Sequence, residues 1–262
     1  MSSGMRFFKY MSVAALVGLK TTSFAFAISH ISKGGESSVG GGNSVVCFDS
    51  PSIIKLVEDS NHSLKNQFLP HVVSVEALDL WTARRPLKPG DSAPRLIEPL
   101  AGETVPHYIE RIIQRLSVKA PEAAEILLEG HNQTFGQANE YPTVRWSDGL
   151  NYINDHKFDT TLLPSHCTLV TFAAQQGVNE ATRLKLDRRF FSEGANSIHP
   201  VFSQAVLLIH EYVYMRARSR EQVDSRAVRM LVRYLISEDP DYSAQEIHQT
   251  LTELDLVSSK QK

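Results

Sequence analysis

The sequence predicts an α+β fold, which is a mainly helical single domain with a small β-sheet and one disulfide. The first observation is the helical spacing of apolar residues, which is clearest over residues 201–217. The second is a set of short runs rich in β-branched residues, such as SVVCF at 44–48, which are typical of strands. The third is the presence of two cysteines, Cys47 and Cys167. An even count favours a disulfide in an oxidising compartment, against the alternatives of free thiols or a cysteine nucleophile.

The composition is that of a globular protein. The chain has 262 residues, of which 42% are hydrophobic and 21% are charged, so it can bury a sizeable core. The formal net charge is −2 and no basic run is interleaved with aromatic residues, so the sequence gives no support for a nucleic-acid partner. A glycine-rich run at 32–43 lacks the GK[ST] ending of a phosphate-binding loop. We therefore predict no cofactor.

The N-terminal segment predicts export. Arg6 and Lys9 precede a short apolar run at 11–19, and AFA at 25–27 is a small-x-small cleavage signal. We expect a signal peptide over residues 1–27. The apolar run is too short to span a bilayer and no later segment is long enough, so the cleaved protein is not expected to be an integral membrane protein. The expected location is periplasmic or secreted.

The rest of the chain is predicted to contain a flexible Gly/Ser-rich N-terminus at 28–43 and one α+β domain at 44–262. The predicted strands are 44–48, a segment around 53–57, 71–75, 164–176 and its hairpin partner 183–186. The predicted helices are 76–85, 107–117, 121–129 (ended by Gly130), 187–193, 201–217, a helix that begins at Asp224 or Ser225, and one from Ser243 to about 254. Residues 131–163 are predicted to be irregular.

The helix predicted at 201–217 carries a His210-Glu211 pair within its most apolar part. Apolar residues cover much of its circumference and leave one narrow polar strip. The next helix presents a core face of apolar residues, and its other side carries three arginines. The apolar residues are Val228, Leu231, Val232 and Leu235. The arginines are Arg226, Arg229 and Arg233.

Several short motifs resemble a group of uncharacterised exported proteins of Gram-negative bacteria. The motifs are GGGN with VVC at 40–47, SVEALDL at 74–80, Pro164 with Cys167, His210-Glu211 with Tyr214, and Asp224-Ser225 with Arg229. The resemblance covers most of the predicted mature chain, although this sequence has a longer insertion between Cys47 and Ser74. It implies export and a shared fold, and it implies no activity.

The His210-Glu211 pair first suggests the helix of a zinc metallopeptidase. That helix needs a second histidine four residues after the first, and Tyr214 stands there. A phenol is a poor zinc ligand at neutral pH, so no metal is predicted. A degenerate, metal-free descendant of such an enzyme stays open.

A second hypothesis is a metal-free hydrolase in which His210 is the general base. Glu211 or Asp224 would orient it, with Tyr214 in the same site. The candidate nucleophiles are Ser203, Ser225 and Cys167, and neither serine lies in a nucleophile-elbow glycine pattern. His166 is expected to point away from Cys167, because neighbouring side chains of a strand face opposite sides.

The third hypothesis is a structural network. A buried histidine and glutamate must be paired, because an unmatched buried charge costs several kcal/mol. The candidate partners are Tyr214, Arg218, Arg226 and Arg229. On this interpretation the protein is a binding or envelope-structural domain with an envelope or protein partner, and whether it is an enzyme at all stays open.

Overall fold

The computed structural model describes residues 38–88, 90–136, 144–150, 153, 158–176, 183–191, 200–218, 225–238 and 244–257. The predicted signal peptide therefore lies outside the described residues, as does the 28–37 part of the predicted flexible N-terminus. The described residues belong to one compact unit, Glu36–Lys262.

A five-stranded mixed sheet forms one part of the fold. Its strands are β1 (Ser38–Phe48), β2 (Val72–Ala77), β3 (Val144–Ser147), β4 (Cys167–Gln176) and β5 (Arg183–Asp187). They lie in the order β2-β1-β4-β5-β3, with only the β3–β5 pair parallel. Nine of the ten residues of β4 are buried, which agrees with its place in the middle of the sheet.

Helices make up the larger part of the fold. They are α1 (Pro51–Asp59), α2 (Leu78–Ala83), α3 (Val105–Lys119), α4 (Pro121–Phe135), α5 (Arg188–Phe191), α6 (Val201–Arg218), α7 (Ser225–Leu235) and α8 (Ala244–Glu253). The predicted α+β class, mainly helical with a small sheet, is confirmed.

Helix α6 is the central element of the core. Fourteen of its eighteen residues are buried, as its apolar circumference predicted. It packs against α2, α3, α4 and α7 and against strands β1, β2 and β4. The polar residues of α6 are therefore enclosed by other elements, which is why their partners matter.

Helix α7 packs on α6 through the predicted apolar face. Its buried residues include Val228, Leu231, Val232 and Leu235. Arg233 of α7 also contacts the end of α2. Its Nη1 atom donates hydrogen bonds to the main-chain oxygens of Thr82 and Arg85. Arg233 is thus buried because it satisfies the carboxyl end of α2.

The predicted disulfide is confirmed. Cys47 at the end of β1 is bonded to Cys167 at the start of β4, with an S–S distance of 2.05 Å. The two cysteines are opposite each other in neighbouring antiparallel strands, so the bond joins two strands that already pair.

Four element predictions were wrong. Residues 131–163 were predicted to be irregular, but helix α4 continues to Phe135 and strand β3 spans Val144–Ser147. The segment 53–57 lies in helix α1, whose Ser50 side chain accepts a hydrogen bond from the Ser52 amide in front of Pro51. Strand β1 begins at Ser38, so residues 38–43 of the expected flexible N-terminus belong to the sheet. Gly130 lies inside α4, where a Cβ atom would sit 2.2 Å from the Tyr212 ring. The close packing of α4 on α6 thus requires glycine there.

The described part of the chain contains no helix that is both long enough and apolar enough to cross a membrane.

Candidate functional site

His210 is paired with an aspartate that the sequence analysis did not single out. The His210 Nδ1 atom lies 2.8 Å from Asp79 Oδ1, and the two side chains are only 4% and 3% exposed. Asp79 stands in the first turn of α2 and His210 near the middle of α6. Because an ionised carboxylate only accepts hydrogen bonds, Nδ1 donates to Asp79. The contact fixes the orientation of the ring and joins the two helices.

The environment of His210 acts on its pKa in opposing directions. Burial lowers the pKa, because the charged imidazolium loses its water. The charge and hydrogen bond of Asp79 and the nearby Glu211 raise it, while Arg229 opposes them. The net result is a raised pKa, so the folded protein favours the protonated imidazole.

Glu211 is held by strand β4. Gln175 Nε2 donates to Glu211 Oε2 at 2.9 Å and to the main-chain oxygen of Glu211 at 3.1 Å. The side chain of Glu211 is fully buried, and burial raises its pKa against the opposing effects of His210 and Gln175. Its Oε1 atom has no hydrogen-bond partner among the described residues. A buried carboxyl whose pKa is raised in this way favours its neutral, protonated form.

The predicted arginine partners occupy different positions. Arg218 Nη1 donates to Gln175 Oε1 at 3.3 Å, so it joins Glu211 through Gln175. Arg229 is buried, its charge lowers the pKa of His210, and its Nη1 donates to Ser225 Oγ at 3.1 Å. Arg226 instead is exposed and lines a groove between α7 and α8.

Tyr214 is stacked on the imidazole. The ring centroids of His210 and Tyr214 are 5.7 Å apart and the ring planes differ by 28°. Tyr214 therefore contacts His210 by its ring face, at the position where a zinc helix would carry its second histidine. Asp224, which was predicted as an orienting group, lies outside the described residues.

The donor atoms do not fit a zinc centre at His210. Within the described ranges, the only group of at least three histidine, cysteine or acidic residues with ligand atoms within 4.8 Å of one another is Cys47, His166 and Cys167. Asp79, His210 and Glu211 do not form such a group. The two sulfurs of the first group are bonded to each other, so they carry no thiolate while the disulfide is intact.

The predicted nucleophiles are engaged in other contacts. Ser203 Oγ accepts a hydrogen bond of 2.5 Å from the Ala77 amide and so fixes α6 to the end of β2. Ser225 Oγ accepts from Arg229, and Cys167 is part of the disulfide. None of these contacts places a nucleophile beside His210.

Asp79 and Gln175 were not predicted from the sequence. Both are polar residues within apolar, buried segments, LDLW and FAAQ, and each is almost completely buried. A polar side chain in such a segment needs a partner, and that requirement was the available signal. Nothing in the sequence identified the partner, because each pairs with a residue far away in the chain.

Comparison with known protein families, with characterised proteins and with solved structures finds no match to this chain.

Proposed function

We propose that this chain is an exported binding or envelope-structural protein, and that the polar network of Asp79, Gln175, His210 and Glu211 is structural. One observation carries the proposal. The ionisable groups of His210 and Glu211 are sealed in the core, and each is held by a partner from a different element, Asp79 of α2 and Gln175 of β4.

The network supports one particular docking of α6. Apolar side chains pack in many alternative ways, whereas a buried hydrogen-bonded pair tolerates only the arrangement that satisfies it. A slip of α6 would leave His210 and Glu211 without partners, at a cost of several kcal/mol. The network thus fixes α6 against α2 and the sheet, and this role needs no substrate.

Export is supported by two features. The segment 1–27 has the three-part pattern of a signal peptide, and a disulfide is compatible with an oxidising compartment. The expected location is periplasmic or secreted, with an envelope or protein partner. Expression in a Gram-negative host tests it. We expect the protein in the periplasmic or secreted fraction with Ile28 at its N-terminus, and an unprocessed cytoplasmic chain would contradict export.

Metal analysis and melting of the mature protein test the structural role. We expect His210→Ala to lower the melting temperature, with no metal present in either protein. Stoichiometric zinc in the wild type that is lost on His210→Ala, with the fold intact, would instead favour an enzyme.

A hydrolase centred on His210 and Glu211 is the second candidate, and the Asp79–His210 contact favours it. A carboxylate that accepts from Nδ1 orients an imidazole as catalytic dyads do, and Nε2 would act as the base at a pH above the raised pKa of His210. Screening the mature protein against ester and peptide substrates separates the two proposals. Hydrolysis that is lost in His210→Gln, whose fold is checked by circular dichroism, would support the enzyme. Equal background rates for both proteins would leave the structural role.

A further inference from the structure

An exposed histidine lies beside the disulfide. Cys47 is half-buried, Cys167 is buried and His166 is exposed. The two Sγ atoms and a ring nitrogen of His166 all lie within 4.8 Å of one another. This histidine belongs neither to the core nor to the network around His210.

The position of His166 differs from the expectation for a strand. Strand β4 begins at Cys167, and the Cys167 amide donates to the Pro164 oxygen at 2.9 Å in the preceding turn. The alternation of side chains along a strand therefore does not apply to His166. The turn brings its imidazole to the sulfur atoms instead of the opposite face.

The backbone holds the two cysteines together without the sulfur–sulfur bond. Cys47 and Cys167 are cross-strand partners with Cα atoms 4.0 Å apart. Because the Cys167 amide donates to Pro164, the pair is of the non-hydrogen-bonded type, in which side chains approach most closely. The two neighbouring residues, Phe48 and His166, are joined by a hydrogen bond of 2.9 Å from the Phe48 amide to the His166 oxygen. That bond also fixes the main chain at His166.

We propose that the reduced form of this disulfide is a metal site, in which the thiolates of Cys47 and Cys167 and the imidazole of His166 bind one thiophilic cation such as Zn²⁺ or Cu⁺. Sulfur and nitrogen donors of this kind select such cations over Mg²⁺ or Ca²⁺. Three protein ligands leave a fourth coordination position for water or another ligand. The proposal does not rest on the function proposed above.

Reduction opens the site by thiol–disulfide exchange with a dithiol reductant. One reductant thiolate attacks the more accessible Cys47 sulfur and forms a mixed disulfide, which releases Cys167 as a thiolate. The second reductant thiolate then displaces Cys47 as a thiolate and leaves the reductant as a disulfide. Two electrons pass to the protein, and the two thiolates take up either two protons or the cation. Metal and disulfide therefore exclude each other.

Zinc binding by the mature chain under anaerobic conditions tests the proposal. The protein is reduced with a phosphine, which competes poorly for zinc, and equilibrated with Zn²⁺ alone. We expect one zinc ion per reduced chain and none per oxidised chain. Substituting Co²⁺ should give the absorption bands of sulfur–cobalt charge transfer.

Matched variants separate the site from general thiol binding. His166→Ala should weaken zinc binding at least about tenfold, since even outer-shell partners of a metal contribute that much. His107→Ala, which removes another exposed histidine, should leave the affinity unchanged. Equal affinities for these two variants, or equal binding by the oxidised and reduced chains, would overturn the proposal.

A melting experiment covers the case in which reduction unfolds the domain. Metal binding is then coupled to folding, so Zn²⁺ should restore a cooperative transition in the reduced chain. The same addition should have no effect on a Cys47→Ser/Cys167→Ser variant. A reduced chain that stays unfolded with zinc present would overturn the proposal as well.

Discussion

At His210 and Asp79, two ionisable side chains lie 2.8 Å apart with almost no contact with water. Each charge alone would be costly in the core, and the pair is tolerated because each satisfies the other. Removing one partner therefore costs more than the net contribution of the pair, because the other charge is left buried and unmatched. The same fold carries an exposed counterpart, His71 with Asp49 at 3.1 Å, in which both side chains are about half exposed.

This difference predicts unequal effects of two matched substitutions. His210→Ala should lower the free energy of unfolding by about 3–5 kcal/mol, because it leaves Asp79 buried without a partner. His71→Ala should lower it by less than about 1 kcal/mol, because water replaces the lost contact. Urea denaturation of the three proteins measures both values. Similar losses for the two variants would show that burial of the pair does not determine its contribution.

The raised pKa values of His210 and Glu211 predict the pH dependence of stability. A raised folded-state pKa means that the folded protein binds protons more tightly than the unfolded chain does. The resulting stability is complete below the unfolded-state pKa and declines as the pH rises through the folded-state pKa. For Glu211 the decline begins near its ordinary value of 4.5.

Glu211→Gln tests this sign. The substituted amide keeps an oxygen that can accept from Gln175 but does not titrate. The wild type should therefore lose stability relative to the variant as the pH rises above about 4.5. Denaturation series across that range measure the difference. A difference that stays constant with pH would mean that Glu211 has no raised pKa in the folded protein.

At the scale of elements, the close approach of α6 to β1 depends on Gly42. A Cβ atom at this position would lie 2.5 Å from Leu207 Cδ1 and 2.8 Å from Glu211 Oε1. The approach of α6 to β1 at this position thus requires a residue without a side chain.

Gly42→Ala should therefore destabilise the protein by about 1–3 kcal/mol, the usual cost of overpacking a core. Ser44→Ala on the same strand is the matched control. It removes a buried hydroxyl that has no hydrogen-bond partner among the described residues, so its effect should be neutral or slightly stabilising. Thermal melts of both variants decide the matter, and a tolerated Gly42→Ala would show that α6 can shift at no cost.

The elements that were predicted best from the sequence are long ones in which apolar residues cover either one face or nearly the whole surface. The apolar periodicity of α6 and α7 predicted both helices and the core face of α7. The segment 53–57 was misjudged because its β-branched residues outweighed the Ser50-Pro51 start signal of a helix. Gly42 was placed in a flexible segment because nothing local shows that helix α6 lies against it.

The site was predictable only in part, for a related reason. The sequence predicted that the histidine and the glutamate within an apolar helix are paired, because an unmatched buried charge is costly. The partners come from 131 and 36 residues away, from α2 and β4. Their identity depends on how the elements dock, which local patterns do not encode. Nearby arginines were therefore the obvious candidates. Of these, Arg218 donates to Gln175 and its charge lowers the pKa of Glu211, while the charge of Arg229 lowers the pKa of His210.

At the scale of the whole molecule, the disulfide connects positions 120 residues apart. In the chain-entropy model, a loop of this length restricts the unfolded chain enough to stabilise the fold by about 4–5 kcal/mol, which strain would reduce. Strand pairing between β1 and β4 continues along both sequences beyond the cysteines, so the fold does not depend on the bond for its topology.

The double variant Cys47→Ser/Cys167→Ser should therefore keep the fold and lose up to about 4–5 kcal/mol of stability. Its circular dichroism spectrum should match that of the wild type, while its urea midpoint should move to a lower concentration. Adding a phosphine should lower the midpoint of the wild type and leave that of the double variant unchanged, which assigns the effect to this bond. A wild-type midpoint that does not respond to reduction would show that strand pairing alone restricts the two segments as strongly as the covalent link does.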